Sequence, residues 1–292
     1  MISFIKFQHT APLLIVLFAA FSMMSLQACS STKNVSSQRM VNPIQPDGNF
    51  DEWPSGSLDT GLIDDFDVAI ANDDKYVYIG VNFRNNRTYR MARDHGFRIY
   101  VDSDATFRRS FGIVFPTGLV EALGDYPGAR RNYLENPSWQ NLPENRLLIE
   151  RAESQMGSRV QIIRRTDRND SIRPALVSRE QLEANGILMG MSESSRVMSI
   201  ELRIPIDDGS EDYFSVIPNS NGRFYIDFEI EPISYEQVTG EVPGLETVDV
   251  ADNRDPRQRN TRARQEMSVS NPQLYSMLGY SYQSRIRVTL DR

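Results

Sequence analysis

Apolar and polar residues alternate in stretch after stretch of this chain, and a period of two commits a segment to a β-strand with one face toward a core. Phe66-Asp67-Val68-Ala69-Ile70-Ala71 and Tyr76-Val77-Tyr78-Ile79-Gly80-Val81-Asn82-Phe83 flank the turn Asn72-Asp73-Asp74-Lys75 and predict a hairpin. Further strands are expected at 97–101, 111–115, 159–163, 197–204, 224–230 and 285–290. Most alternate as strands do when the second face meets water. Helical signal is sparse. Ser178 with Gln181 fits a capping box and Gly186 a C-terminal stop, predicting one short helix over 178–186. Short strands at turn-marked intervals with almost no helix indicate an all-β chain, an antiparallel β-sandwich.

Two segments break this rhythm and read as long inserted loops. Residues 118–145 are rich in Gly, Pro, Asn and aromatics, and residues 235–267 are polar and contain the basic run 254–264. Long loops inside a compact domain are either functional or disordered. The first holds Tyr126, Arg130, Tyr133 and Trp139, and aromatic rings beside an arginine suit a planar or sugar ligand. The alternative is that these rings pin the loop to the sandwich. The basic run reads as a solvated loop, with an acidic partner as the sharper alternative.

The first 28 residues have the parts of a secretory signal: Lys6, an apolar run from Leu13 to Phe21, and Ala28 before the cut. Leu26-Gln27-Ala28-Cys29 resembles the lipobox of bacterial lipoproteins. The resemblance implies cleavage before Cys29 and lipid attachment to it, and Ser30 in place of aspartate implies the outer membrane. Several acyl chains together hold a protein on a bilayer stably. Residues 29–40 are polar and read as a flexible tether, leaving 41–292 as the domain. Cys29 is the chain's single cysteine, so the mature domain has no thiol for disulfides or catalysis. Without the signal the chain carries 31 basic against 39 acidic residues, a net charge near −8. That balance argues against nucleic-acid binding.

Ile44-Gln45-Pro46-Asp47-Gly48-Asn49-Phe50-Asp51-Glu52-Trp53, the hairpin stretch Asp73 to Ile79, the strand Gly96 to Asp104 and Ser199 to Ile206 occur in an order and spacing that resemble the family 9 carbohydrate-binding-module-like domains, relatives of the DOMON group. The resemblance implies a jelly-roll-like sandwich that binds sugars and in some branches haem. Read from its own residues, Asp47-Gly48 supplies a turn, and Trp53 is a core plug whose indole N–H needs an acceptor.

Asp102-Ser103-Asp104 offers hard oxygen ligands of the kind calcium takes, with Asp73 or Asp74 as neighbours, but the EF-hand pattern fails. Strand-end aspartates also hold turns without metal. Covalent haem is excluded by the absence of C-x-x-C-H. A non-covalent haem would need His95 with Met91, Met189, Met191 or Met198, and His95 reads more simply as a turn residue. No G-x-S-x-G or H-E-x-x-H motif occurs. The function expected is a non-catalytic, lipid-anchored envelope protein that binds a glycan through loops at one end of the sandwich. The alternatives are a lipoprotein that docks a partner protein in an envelope complex, and a haem electron-transfer domain.

Overall fold

The computed structural model describes residues 32–106, 108–136, 138–165, 174–194, 197–207, 214–233 and 279–291. The signal segment, Cys29 and the expected loop 235–267 lie outside the described residues. Among the described residues twelve strands form two sheets. The larger has the order β1 (Lys33–Ser36), β12 (Tyr282–Thr289), β11 (Arg223–Ile230), β5 (Arg98–Asp102), β6 (Phe111–Val114), β7 (Arg159–Arg164), β8 (Pro174–Ser178). The smaller runs β2 (Gln38–Arg39), β3 (Asp67–Asn72), β4 (Tyr76–Phe83), β10 (Val197–Pro205), β9 (Leu188–Ser194). The two sheets make the β-sandwich that the alternation implies. Pairing is antiparallel except where β1 joins β12 and β2 joins β3 in parallel.

Those two parallel pairings change the reading of residues 29–40. From Lys33 onward the stretch is not a tether but two strands, one added to each sheet. Ser37, between them, donates through Oγ to Asn72 Oδ1 and to Thr289 O, and accepts from Asp291 N at 3.0 Å. The Ser37 and Asn72 side chains thus tie both ends of the domain to β3. Polar composition hid this, because the edge strands draw their stability from backbone pairing and not from an apolar face.

The core between the sheets is built from the alternating apolar positions. Phe66, Phe83, Phe97 and Phe228 form its aromatic centre, with Phe83 edge-on to Phe97 at 4.9 Å. The expectation that the second face of each sheet meets water fails on both sides. On the five-stranded sheet, residues 40–58 fold back over the outer face, and Ile44 and Trp53 pack with Ala69, Ala71 and Tyr78. Every residue of β3 is buried.

One rung of that sheet explains the docking. Ala69, Gly80, Glu201 and Gly190 lie side by side across β3, β4, β10 and β9. The two glycines leave a groove on each side of Glu201. A Cβ on Gly80 would meet the Phe50 ring at 2.4 Å, and one on Gly190 would meet the Asp47 backbone at 2.4 Å. A Cβ on Gly48, at φ +92°, would meet Ser192 N at 2.2 Å. Glu201, fully buried, then accepts from Trp53 Nε1 with one oxygen and from the Asp47 and Gly48 amides, at 2.9 and 2.7 Å, with the other. The sequence stretches 44–53, 73–79 and 199–206 are therefore parts of one latch, and Trp53 is the core plug its composition suggests.

The segment 118–145, expected as a loop, is helical. It carries α2 (Leu119–Ala122) and α3 (Ala129–Glu135), and runs into α4 (Pro143–Ser158). α1 (Asn86–His95) packs against α2. Its glycines and prolines sit at helix boundaries: Gly118 and Gly128 precede helices, and Pro143 occupies the first turn of α4. Loop-like composition was punctuation between short helices. The helix expected over 178–186 is present as α5 (Arg179–Ala184), with both halves of the Ser178–Gln181 capping box.

Candidate functional site

The four loop residues singled out in the sequence come together, but inward. Trp139 is buried among Leu119, Ala122, Leu123, Ala129, Ala152 and Met156, with Tyr126 and Tyr133 against that cluster. Arg130 donates through Nε to Val120 O at 2.9 Å. Tyr133 Oη donates to Asp94 Oδ1 at 3.0 Å, tying α3 to α1. These side chains give the helical segment its own small core and form no exposed platform. Tyr133→Phe is expected to cost about 1–2 kcal/mol in chemical denaturation, since Asp94 is buried and loses the hydroxyl that donates to it.

The acidic pair at the end of β5 separates in the same way. Asp102 is fully buried, and its oxygens accept from Ser110 N, Ser110 Oγ and Arg109 N at 2.7–2.9 Å. It stabilises the β5–β6 turn. Asp104 is on the exposed turn, accepting from Thr106 N at 2.7 Å. Among the described residues no group of three or more His, Cys, Asp or Glu side chains is placed to hold a metal. His95 closes α1, with Nδ1 3.0 Å from Glu231 O. Met189 and Met198 belong to the core between the sheets, and Met91 and Met191 pack against it.

The outer face of the seven-stranded sheet holds what sequence reading missed. Alternate residues of three adjacent strands project there: Arg98, Tyr100 and Asp102 from β5, Asp227 and Glu229 from β11 with Glu231 just beyond, and Gln283 and Arg285 from β12. Register puts Tyr100, Asp227 and Arg285 on one rung, and Arg98, Glu229 and Gln283 on the next. Arg108 and Arg109 reach over from the β5–β6 turn. Arg108 Nη2 meets Asp227 Oδ1 at 2.6 Å, Arg109 Nη2 meets Glu229 Oε2 at 2.7 Å, and Arg98 Nη2 meets Glu231 Oε2 at 3.1 Å. Arg285 lies 3.5 Å from Asp227 and stacks over the Tyr225 ring at 4.5 Å. Four guanidinium groups and four carboxylates balance in charge. Asp102, Tyr100 and Asp227 are fully buried, whereas the Arg108 side chain is 45% exposed and forms the rim. The Tyr100 ring lies flat across Gly112, where a Cβ would meet it at 2.4 Å, and packs on Val114 and Ile163.

Burial sets the electrostatics. Desolvation raises the carboxyls of Asp102, Glu201 and Glu229, against the lowering pull of Ser110, Trp53 and Arg109 respectively. A carboxyl raised in the folded state binds protons more tightly there than in the unfolded chain. Its contribution to stability is therefore largest at acid pH and is lost as pH rises above the ordinary carboxylate range through the raised values. The melting temperature is expected to be higher near pH 5 than near pH 8, and Glu201→Gln should flatten that slope in a pH series of thermal melts.

Among the described residues, five buried polar atoms on this face make no hydrogen bond: Arg98 Nη1, Tyr100 Oη, Asp227 Oδ2, and Nε and Nη2 of Arg285, of which the Asp227 and Arg285 atoms are engaged only in ion pairs of 3.5 and 3.9 Å. An unpaired buried polar atom costs about 1–3 kcal/mol, which leaves Arg98 Nη1 and Tyr100 Oη each in want of a partner. Away from this face, a concavity of about 400 Å³ lies where Arg39, Asp73, Asp74, Asp207 and Asp291 meet. Two of its acids are engaged within the fold: Asp74 pairs with Arg39 at 2.6 Å, and Asp73 accepts from Lys75 N, Tyr76 N and Tyr78 Oη.

No family model matches the chain, and no curated protein matches it. Among solved structures, a family 9 carbohydrate-binding module from Caldicellulosiruptor kristjanssonii is similar in two complexes. The glucose complex is 9% identical, with a TM-score of 0.31, covering 70% of this chain and 82% of that one. The cellotriose complex is 10% identical, with a TM-score of 0.31, covering 68% and 76%. The likeness is one of β-sandwich architecture, and at this distance it carries nothing about ligand or site.

Proposed function

We propose that this protein is a non-catalytic recognition module for a glycan, held at the outer membrane by lipid on Cys29, with the outer face of the seven-stranded sheet as its site. The observation that supports the reading is the set formed on that face by the unpartnered Arg98 Nη1 and Tyr100 Oη and the loosely paired Asp227 Oδ2 and Arg285. It contains donors (guanidinium N–H groups), an acceptor (a carboxylate oxygen) and a phenol that does both. A sugar hydroxyl also donates and accepts, so a polyol satisfies such a mixture where a simple ion does not. The balanced charges around it likewise favour a neutral ligand over a strong anion or cation. Tyr225, and Tyr100 beneath Arg109, supply aromatic rings of the kind small-molecule sites commonly use.

The test is a glycan array probed with the purified full-length protein, with and without calcium, alongside Tyr100→Phe. Binding that weakens about tenfold in Tyr100→Phe, with the fold intact by circular dichroism, supports the site, since one lost hydrogen bond is worth about 1.4 kcal/mol. A clean negative across the array moves the function to docking of an envelope protein. Anchoring is tested by Cys29→Ser, which should abolish acyl labelling and release the protein from the membrane fraction.

A further inference from the structure

We infer that Arg109 is an internal occupant of the subsite that a sugar ring enters, so that the free protein competes with its own ligand and binding displaces one guanidinium. The inference rests on the glycan reading above. The Arg109 guanidinium lies over the Tyr100 ring, 5.5 Å from its centroid. Its Nε and Nη2 meet the two oxygens of Glu229 at 3.1 and 2.7 Å. A flat group over an aromatic face with two parallel donors on one carboxylate makes the contacts a pyranose makes with its C–H face and two adjacent hydroxyls.

Three features make Arg109 a displaceable occupant and not only a structural ion pair. Its side chain is 32% exposed while Glu229 is 2% exposed, so it can leave toward solvent without opening the core. Glu229 keeps a second donor, Gln283 Nε2 at 2.7 Å, which holds the carboxylate in place when the arginine departs. Tyr100 Oη and Arg98 Nη1 stay unpartnered with Arg109 in place, so the arginine does not complete the site it covers. The backbone is strained to present it: Arg109 has φ +59°, the one non-glycine residue with positive φ among the described residues. Asp102 holds that turn through the Arg109 and Ser110 amides. Such strain persists where surrounding contacts over-determine it, and it concentrates at functional positions.

The test compares native protein with Arg109→Gly, whose glycine suits the positive φ, and Arg109→Lys, which keeps the charge but cannot bridge both Glu229 oxygens. Glucose, galactose and mannose are titrated by ligand-observed NMR, and methylguanidine is added as a soluble replacement for the missing side chain. If the native site is closed about nine-tenths of the time, both variants bind at least one sugar about tenfold tighter than native protein. Methylguanidine should then raise the melting temperature of Arg109→Gly and displace the sugar from it, doing neither to native protein. Equal or weaker sugar binding by both variants, with native protein still binding, overturns the self-competition and leaves the glycan reading standing. If no form binds any of the sugars while methylguanidine still stabilises Arg109→Gly, the glycan reading falls with it, and Arg109 is a structural ion pair only.

Discussion

Trp53→Ala is expected to lower the stability of the domain by about 3–5 kcal/mol, the range for truncating a large buried aromatic. Two losses add there. The indole leaves a cavity over Gly80 and Phe50, and Glu201 loses the donor to one of its two oxygens while remaining fully buried. Among the described residues the other oxygen is held by the Asp47 and Gly48 amides, and no Lys or Arg pairs with this carboxylate. Glu201→Gln separates the two contributions, because a side-chain amide can accept from one side only and turns an N–H₂ toward existing donors on the other. It should cost less than Trp53→Ala but more than 1 kcal/mol in urea denaturation followed by far-ultraviolet circular dichroism. A Trp53→Ala protein with native stability would show that residues 44–53 do not hold the sheet.

Arg285→Ala is expected to be comparably damaging, at about 3–5 kcal/mol, because it strips the guanidinium from between two fully buried carboxylates, Asp102 and Asp227. Removing one partner of a buried ionic group leaves the other charged in a medium that solvates it poorly. Removing both is milder, so the double replacement Arg285→Leu with Asp227→Leu should recover part of the loss. A double-mutant cycle by chemical denaturation measures the coupling. Additive single effects would mean that the polar face is wet and its charges are screened by water.

The sandwich itself was legible because its signal is local. Period-two alternation places a side chain on one face or the other whatever the rest of the chain does, and the stretches 76–83 and 197–204 overlie β4 and β10 almost residue for residue. The capping box at Ser178 is local in the same sense. Residues 33–39 and 118–145 were not legible for opposite reasons. The former are polar edge strands whose partners β12 and β3 lie elsewhere in the sequence. The latter are short helices that bury a few residues each, around Trp139, too few to set up a helical period.

The candidate site shows the same division. Asp227-Phe228-Glu229 and Arg98-Ile99-Tyr100 announce a strand with one apolar and one polar face. Nothing in either stretch says that the polar face is buried, or that β5, β11 and β12 lie side by side in that register. The alternation, the hairpin turn, the short helix and the need of Trp53 for an acceptor are all written locally, since each depends on residues a few positions apart. That the acceptor is Glu201, 148 positions away, follows from the fold alone. The fold also brought the arginines and carboxylates of three strands into one buried array, because strand order and register are set by packing the whole sandwich at once.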